Sequence, residues 1–123
     1  MTEALIIDDN RTTANALGQM LNVLGFKMRL AYSSGAAMSI LAGGITPEFI
    51  CLDINMPGVT GIEILAYLRR EPRLLPVPVF VITSDDQPET RRKVMKLGAN
   101  VMIIKPATID VLEESLKRVR LLK

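Results

Sequence analysis

Five times along the chain a short apolar run gives way to a segment with apolar residues three and four apart. Ala4-Leu5-Ile6-Ile7, Phe49-Ile50-Cys51-Leu52 and Val101-Met102-Ile103-Ile104 are continuous apolar stretches bounded by polar or turn-forming residues. That pattern predicts strands buried on both faces of a sheet. Val77 to Ile82 predicts a fourth, in which Pro78 is tolerable only at the start because it has no N–H to donate. Lys27 to Ala31 is less apolar, which places its strand nearer an edge.

The intervening segments carry helical periodicity. Ala14, Leu17, Leu21 and Leu24 form one stripe, closed by Gly25. Ala37, Ile40 and Leu41 form a second, capped by Ser33 or Ser34 and ended by Gly43-Gly44. Thr60 is the N-cap candidate for a helix with Ile62, Leu65 and Leu68 on its core face, and the stiff connection Pro72-Pro76-Pro78 follows. A fourth helix spans Pro88 to Leu97, with proline in the first turn and Gly98 as the stop. The last places Ile109, Leu112, Leu116 and Val119 on one stripe. Its acids Asp110, Glu113 and Glu114 come early and its bases Lys117, Arg118 and Arg120 late, matching the helix dipole. Five strands alternating with five helices through short loops predict an α/β fold, a parallel sheet covered on both faces.

Composition narrows this picture. At 123 residues the chain is one domain's length, 1–123, able to sustain a core without metals or disulfides. A net charge of +2 implies no strong field toward nucleic acid or membrane. No apolar stretch approaches a membrane span, and Met1-Thr2-Glu3 lacks the layout of a signal peptide, so a cytoplasmic location is expected. The single Cys51 lies inside an apolar run, as an inert core thiol would. With no histidine, the chain can supply neither a His metal ligand nor a His general base.

The candidate chemistry stands where strands end. In a parallel sheet all the carboxyl ends lie on one edge, which brings together Asp8-Asp9, Asp53, Thr83-Ser84 and Lys105. Taken singly each has a simpler role: Asp8-Asp9 and Thr83 as helix caps, Asp53 as an Asx-turn residue before Met56-Pro57-Gly58, Lys105 as a solvated loop lysine. Taken together, three acids repel one another and raise each other's pKa unless a cation intervenes. Oxygen donors without His or Cys suit Mg²⁺ or Mn²⁺. Lys105 supplies charge for a doubly anionic phosphoryl group and Thr83 a hydroxyl for one of its oxygens. A carboxylate, a metal and a lysine describe a phosphoryl acceptor with an aspartate nucleophile.

Asp8-Asp9 after strand one, Asp53 followed by Met56-Pro57-Gly58, Thr83 after strand four and Lys105-Pro106 after strand five resemble the receiver domain of two-component response regulators, over essentially the whole chain. The resemblance implies a doubly wound (βα)5 flavodoxin-like three-layer sandwich with strand order 2-1-3-4-5. It implies that Asp53 takes a phosphoryl group from a sensor histidine kinase or phosphotransfer protein. Asp9 would be the direct Mg²⁺ ligand, Asp8 one acting through water, and Asn55 a ligand through its backbone carbonyl. Lys105 would pair with the phosphoryl oxygens, Thr83 would swing inward as the switch, and Pro106 would follow a cis peptide. The fourth helix, fifth strand and fifth helix would face a partner or effector, the protein being a monomer or a phosphorylation-dependent dimer. Two positions depart from the family pattern: Met102 stands where an aromatic switch residue is usual, and Ala107 where Phe is frequent. These departures favour one alternative, a receiver-like interaction module that works without phosphorylation. A Mg²⁺-dependent phosphatase is a second, but no general acid accompanies Asp53 and 123 residues leave no cap over a substrate.

Overall fold

The computed structural model describes residues 3–123; Met1 and Thr2, the start of the segment read for a leader, lie outside the described residues. Five strands alternate with five helices: β1 (Ala4–Ile7), α1 (Arg11–Val23), β2 (Met28–Ala31), α2 (Ser34–Ala42), β3 (Ile50–Leu52), α3 (Gly61–Arg70), β4 (Val79–Thr83), α4 (Pro88–Leu97), β5 (Val101–Ile104) and α5 (Ile109–Arg118). All strand pairs are parallel, in the order β2-β1-β3-β4-β5. The half-polar β2 is an edge strand, as its composition predicts. The fourth strand begins two residues later than its apolar run. Pro78 has no N–H for the ladder, so only its carbonyl is used, accepting from Ile50 at 2.9 Å.

Because side chains alternate along a strand, each run feeds two cores. Leu5, Ile7, Ile50, Leu52, Val79 and Val81 point to one face, where they meet Leu41, Leu65, Leu68 and Val94 from α2, α3 and α4. Ala4, Ile6, Cys51, Phe80, Ile82 and Ile103 point to the other, against Ala14, Leu17, Leu21, Leu112 and Leu116 from α1 and α5. The result is a three-layer α/β/α sandwich. Cys51 is buried in the second core, and burial pushes its thiol pKa up, which keeps it unreactive.

The helix stripes are shifted by small amounts from those predicted. Ile64, rather than Ile62, is fully buried on α3, and Ile62 is half-buried. On α5, Leu112 and Leu116 face the core while Ile109 is 36% exposed. Ile109 is the first helical residue, so it stands ahead of the turn that lies on the sheet. Ser33 rather than Ser34 caps α2, and Thr60 caps α3 in a reciprocal capping box with Glu63. The Ser34 hydroxyl donates instead to the Val59 carbonyl, tying α2 to the β3–α3 loop.

Candidate functional site

The backbone ladder continues one residue beyond three strands and aims their last side chains. Asp8 N–H donates to Ala31 at 3.1 Å, Asp53 N–H to Ile7 at 2.9 Å and Lys105 N–H to Thr83 at 2.8 Å. These bonds bring Asp8, Asp53 and Lys105 to one edge, with Asp9 beside them. One carboxylate oxygen from each of Asp8, Asp9 and Asp53 lies within 4.8 Å of the others. Asp8 (3% exposed) and Asp53 (6% exposed) are buried, whereas Asp9 is open to solvent.

Lys105 bridges the two buried acids. Its Nζ donates to Asp8 Oδ2 at 2.9 Å and to Asp53 Oδ2 at 3.4 Å. The remaining oxygens are held by backbone: Asp8 Oδ1 accepts the Asn10 N–H at 2.9 Å and Asp53 Oδ1 the Asn55 N–H at 3.0 Å. The Asx turn foreseen for Asp53 is therefore present alongside its place in the cluster. Capping of α1 falls to Asn10, which accepts the Thr13 N–H at 3.0 Å, and this leaves Asp8 and Asp9 free of that task.

Burial raises the Asp53 pKa above the usual carboxylate range. The Asn55 N–H and the Lys105 charge oppose the rise, and the neighbouring Asp8 adds to it. Burial alone would lower Lys105, but its hydrogen bond to Asp8 and the charges of both aspartates hold it above its ordinary value. Three carboxylates against one ammonium leave the site short of two positive charges. Hard oxygen donors with that deficit fit a divalent cation such as Mg²⁺.

Thr83, the last residue of β4, is fully buried. Its Oγ1 is not directed at Asp53: it accepts Asn55 Nδ2 at 3.2 Å and the Asp85 N–H at 3.1 Å. Met102 is 8% exposed and packs in the core on the α2–α3–α4 side, in register with Val81. The Lys105–Pro106 peptide is cis.

Gly61 also belongs to the site and was not singled out in the sequence. A Cβ there would stand 2.2 Å from the Asp53 carbonyl oxygen and 2.4 Å from Ile54 Cα. Only glycine lets the first turn of α3 lie against the backbone that carries Asp53. Its one sequence signal is its place directly after the N-cap Thr60, where a side chain would otherwise cost nothing.

A five-stranded parallel sheet with three acids and a lysine on its carboxyl edge defines a doubly wound domain with an anionic, cation-ready pocket. The sequence matches the response regulator receiver domain over residues 4–117, and the chain belongs to that family. It is 32% identical over 116 residues to the chemotaxis protein CheY of Pseudomonas aeruginosa, covering 94% of this chain and 93% of that one. Its fold is similar to the signal receiver domain of a DNA binding response regulator from Colwellia psychrerythraea, with TM-score 0.90, 26% identity and coverage of 99% and 100%. It also resembles a response regulator from Burkholderia pseudomallei solved with a phosphorylated aspartic acid, calcium ion and citrate. There the TM-score is 0.82 and the identity 29%, over 94% of this chain and 66% of that one. The protein is thus a CheY-like receiver, a signalling module by family.

Proposed function

We propose that Asp53 is the phosphoacceptor of this receiver. The observation that carries the proposal is the buried Asp53 carboxylate, within 4.8 Å of two further carboxylates and joined to Asp8 by Lys105. The phosphorylated aspartic acid and calcium ion of the Burkholderia relative support it.

Asp8, Asp9 and Asp53, with the Asn55 backbone carbonyl, would hold Mg²⁺ or Mn²⁺, which when bound neutralises phosphoryl and carboxylate oxygens. A carboxylate oxygen of Asp53 attacks phosphorus and an acyl phosphate O–P bond forms. The P–N bond of a donor phosphohistidine breaks, and its electron pair leaves with the imidazole, which takes up a proton from solvent. Lys105 pairs with the transferred oxygens, and Thr83 turns from Asn55 toward one of them. Water later hydrolyses the acyl phosphate slowly, so turnover is limited to self-phosphorylation and autodephosphorylation. The donor is a sensor histidine kinase or phosphotransfer protein. Output passes to a partner or effector through α4, β5 and α5, from a cytoplasmic receiver unit spanning 1–123, as a monomer or a phosphorylation-dependent dimer.

Incubation with Mg²⁺ and acetyl phosphate, followed by intact mass, should show one added phosphoryl group on the native chain and none on Asp53→Asn. An unmodified native chain would sink the proposal. One observation favours a second reading, a module that binds partners without phosphate: Met102 is a packed core residue rather than a mobile ring. It predicts partner affinity indifferent to Mg²⁺ and beryllofluoride.

A further inference from the structure

Met102 packs in the core where a ring is usual, which leaves room for a link from the acceptor site to the output face that needs no ring. The hydrogen bonds around Thr83 supply one. Its hydroxyl oxygen has two lone pairs, and both are taken, by Asn55 Nδ2 and by the Asp85 N–H. Asp85 in turn uses both carboxylate oxygens on the start of α4. Oδ1 accepts the Gln87 N–H at 3.0 Å and Oδ2 accepts the Thr90 hydroxyl at 2.8 Å.

The two ends of α4 are held very differently. At its carboxyl end Arg69 Nε donates to the Gly98 carbonyl at 3.0 Å, and Arg69 Nη2 to Asn100 Oδ1 at 3.0 Å. At its amino end the N-cap Gln87 makes no side-chain cap bond, so the tether is Asp85. A fixed far end and, among the described residues, a single side-chain tether at the near end allow the first turn to follow Asp85 while the rest of α4 stays docked through Val94.

We propose that Asp85 is the positioning residue that carries a displacement of Thr83 into the first turn of α4, through the Thr90 hydroxyl and the Gln87 amide. When Thr83 leaves for a phosphoryl oxygen, the Asp85 N–H loses its acceptor, and the segment that Asp85 clamps moves with it. Asn55 is the counterweight, holding Thr83 in the resting position until phosphate competes for it. This inference rests on Asp53 being the acceptor.

Amide NMR spectra recorded with Mg²⁺, before and after beryllofluoride, test both separately. In the native chain, shifts are expected at Asp53 and Asn55, at Asp85 and at Glu89–Arg92. Thr90→Val keeps the shape of the side chain and removes its donor. It should retain the Asp53, Asn55 and Asp85 shifts and lose those at Glu89–Arg92, and Thr90→Ser should restore them. Undiminished α4 shifts in Thr90→Val would overturn the relay with the acceptor role intact. No response at Asp53 and Asn55 in the native chain would overturn the acceptor role, and the relay with it.

Discussion

At the amino-terminal end of the strands Phe26, Phe49 and Phe80 pack ring on ring, whereas at the carboxyl end Asp8, Asp9 and Asp53 crowd around one ammonium. Phe49 meets Phe26 edge-on at 5.1 Å between centroids and Phe80 at 5.3 Å with a 35° tilt. Those three are all the phenylalanines in the chain. Their contacts add to simple burial and carry no charge to desolvate. The acidic end does the opposite: it holds two buried carboxylates whose repulsion a single lysine only partly relieves. A site able to accept charge from outside must begin with unmet charge, and the apolar end lets the fold carry that cost.

The contrast can be broken from either end, and the largest effect is expected at the aromatic one. Phe49→Ala should lower the free energy of unfolding by ~3–5 kcal/mol in a urea titration. Folded protein of that variant should still take up phosphate from acetyl phosphate at the native rate. Equal loss of stability and of phosphorylation rate would show that the two ends are not independent.

Gly61→Ala should cost less stability, ~1–3 kcal/mol, because α3 must shift away from the Asp53–Ile54 backbone. Its effect on phosphorylation should be the greater of the two, since the displaced backbone is the one that carries Asp53, the proposed acceptor. Single-turnover rates of the two variants, compared at equal folded fraction, check this ordering.

The smallest change in stability should have the opposite sign. Asp53→Asn removes a buried charge and should raise Tm by a few degrees in metal-free buffer while abolishing phosphorylation. In the native chain the raised Asp53 pKa means that folding favours the protonated acid. The resulting stability is fully present below the ordinary aspartate value and is lost as pH rises through the raised native one. Across that window the Tm of the native chain should fall relative to that of Asp53→Asn as pH rises. Lys105, raised above its own ordinary value, keeps its ion pairs through neutral pH.

Mg²⁺ sharpens the same comparison. It should stabilise the native fold by RT ln(1 + [Mg²⁺]/Kd), ~2.7 kcal/mol at a hundred times its Kd, seen as a Tm that climbs with Mg²⁺ concentration, and stabilise Asp53→Asn less. A native Tm indifferent to Mg²⁺ would count against the cation site.

Much of this was legible in the sequence because strand and helix periods are local properties. Continuous apolar runs mark four strands covered on both faces, and the half-polar run from Lys27 marks one edge, whereas the other edge, β5, is as apolar as the central strands. Parallel strands joined by short helices force every carboxyl end to one side, so the strand pattern alone makes neighbours of Asp8, Asp9, Asp53, Thr83 and Lys105. What the tertiary structure alone decided is which neighbour does what. Asp8 and Asp9 are adjacent in the chain, yet one is buried against Lys105 and the other faces solvent, because successive side chains diverge as the chain leaves the pleat. The clearance at Gly61 against the Asp53–Ile54 backbone and the bond from Asn55 to Thr83 join residues of different segments at distances of a few ångströms. Composition and period specify which face a residue takes, whereas contacts of that kind depend on how the helices settle on the sheet.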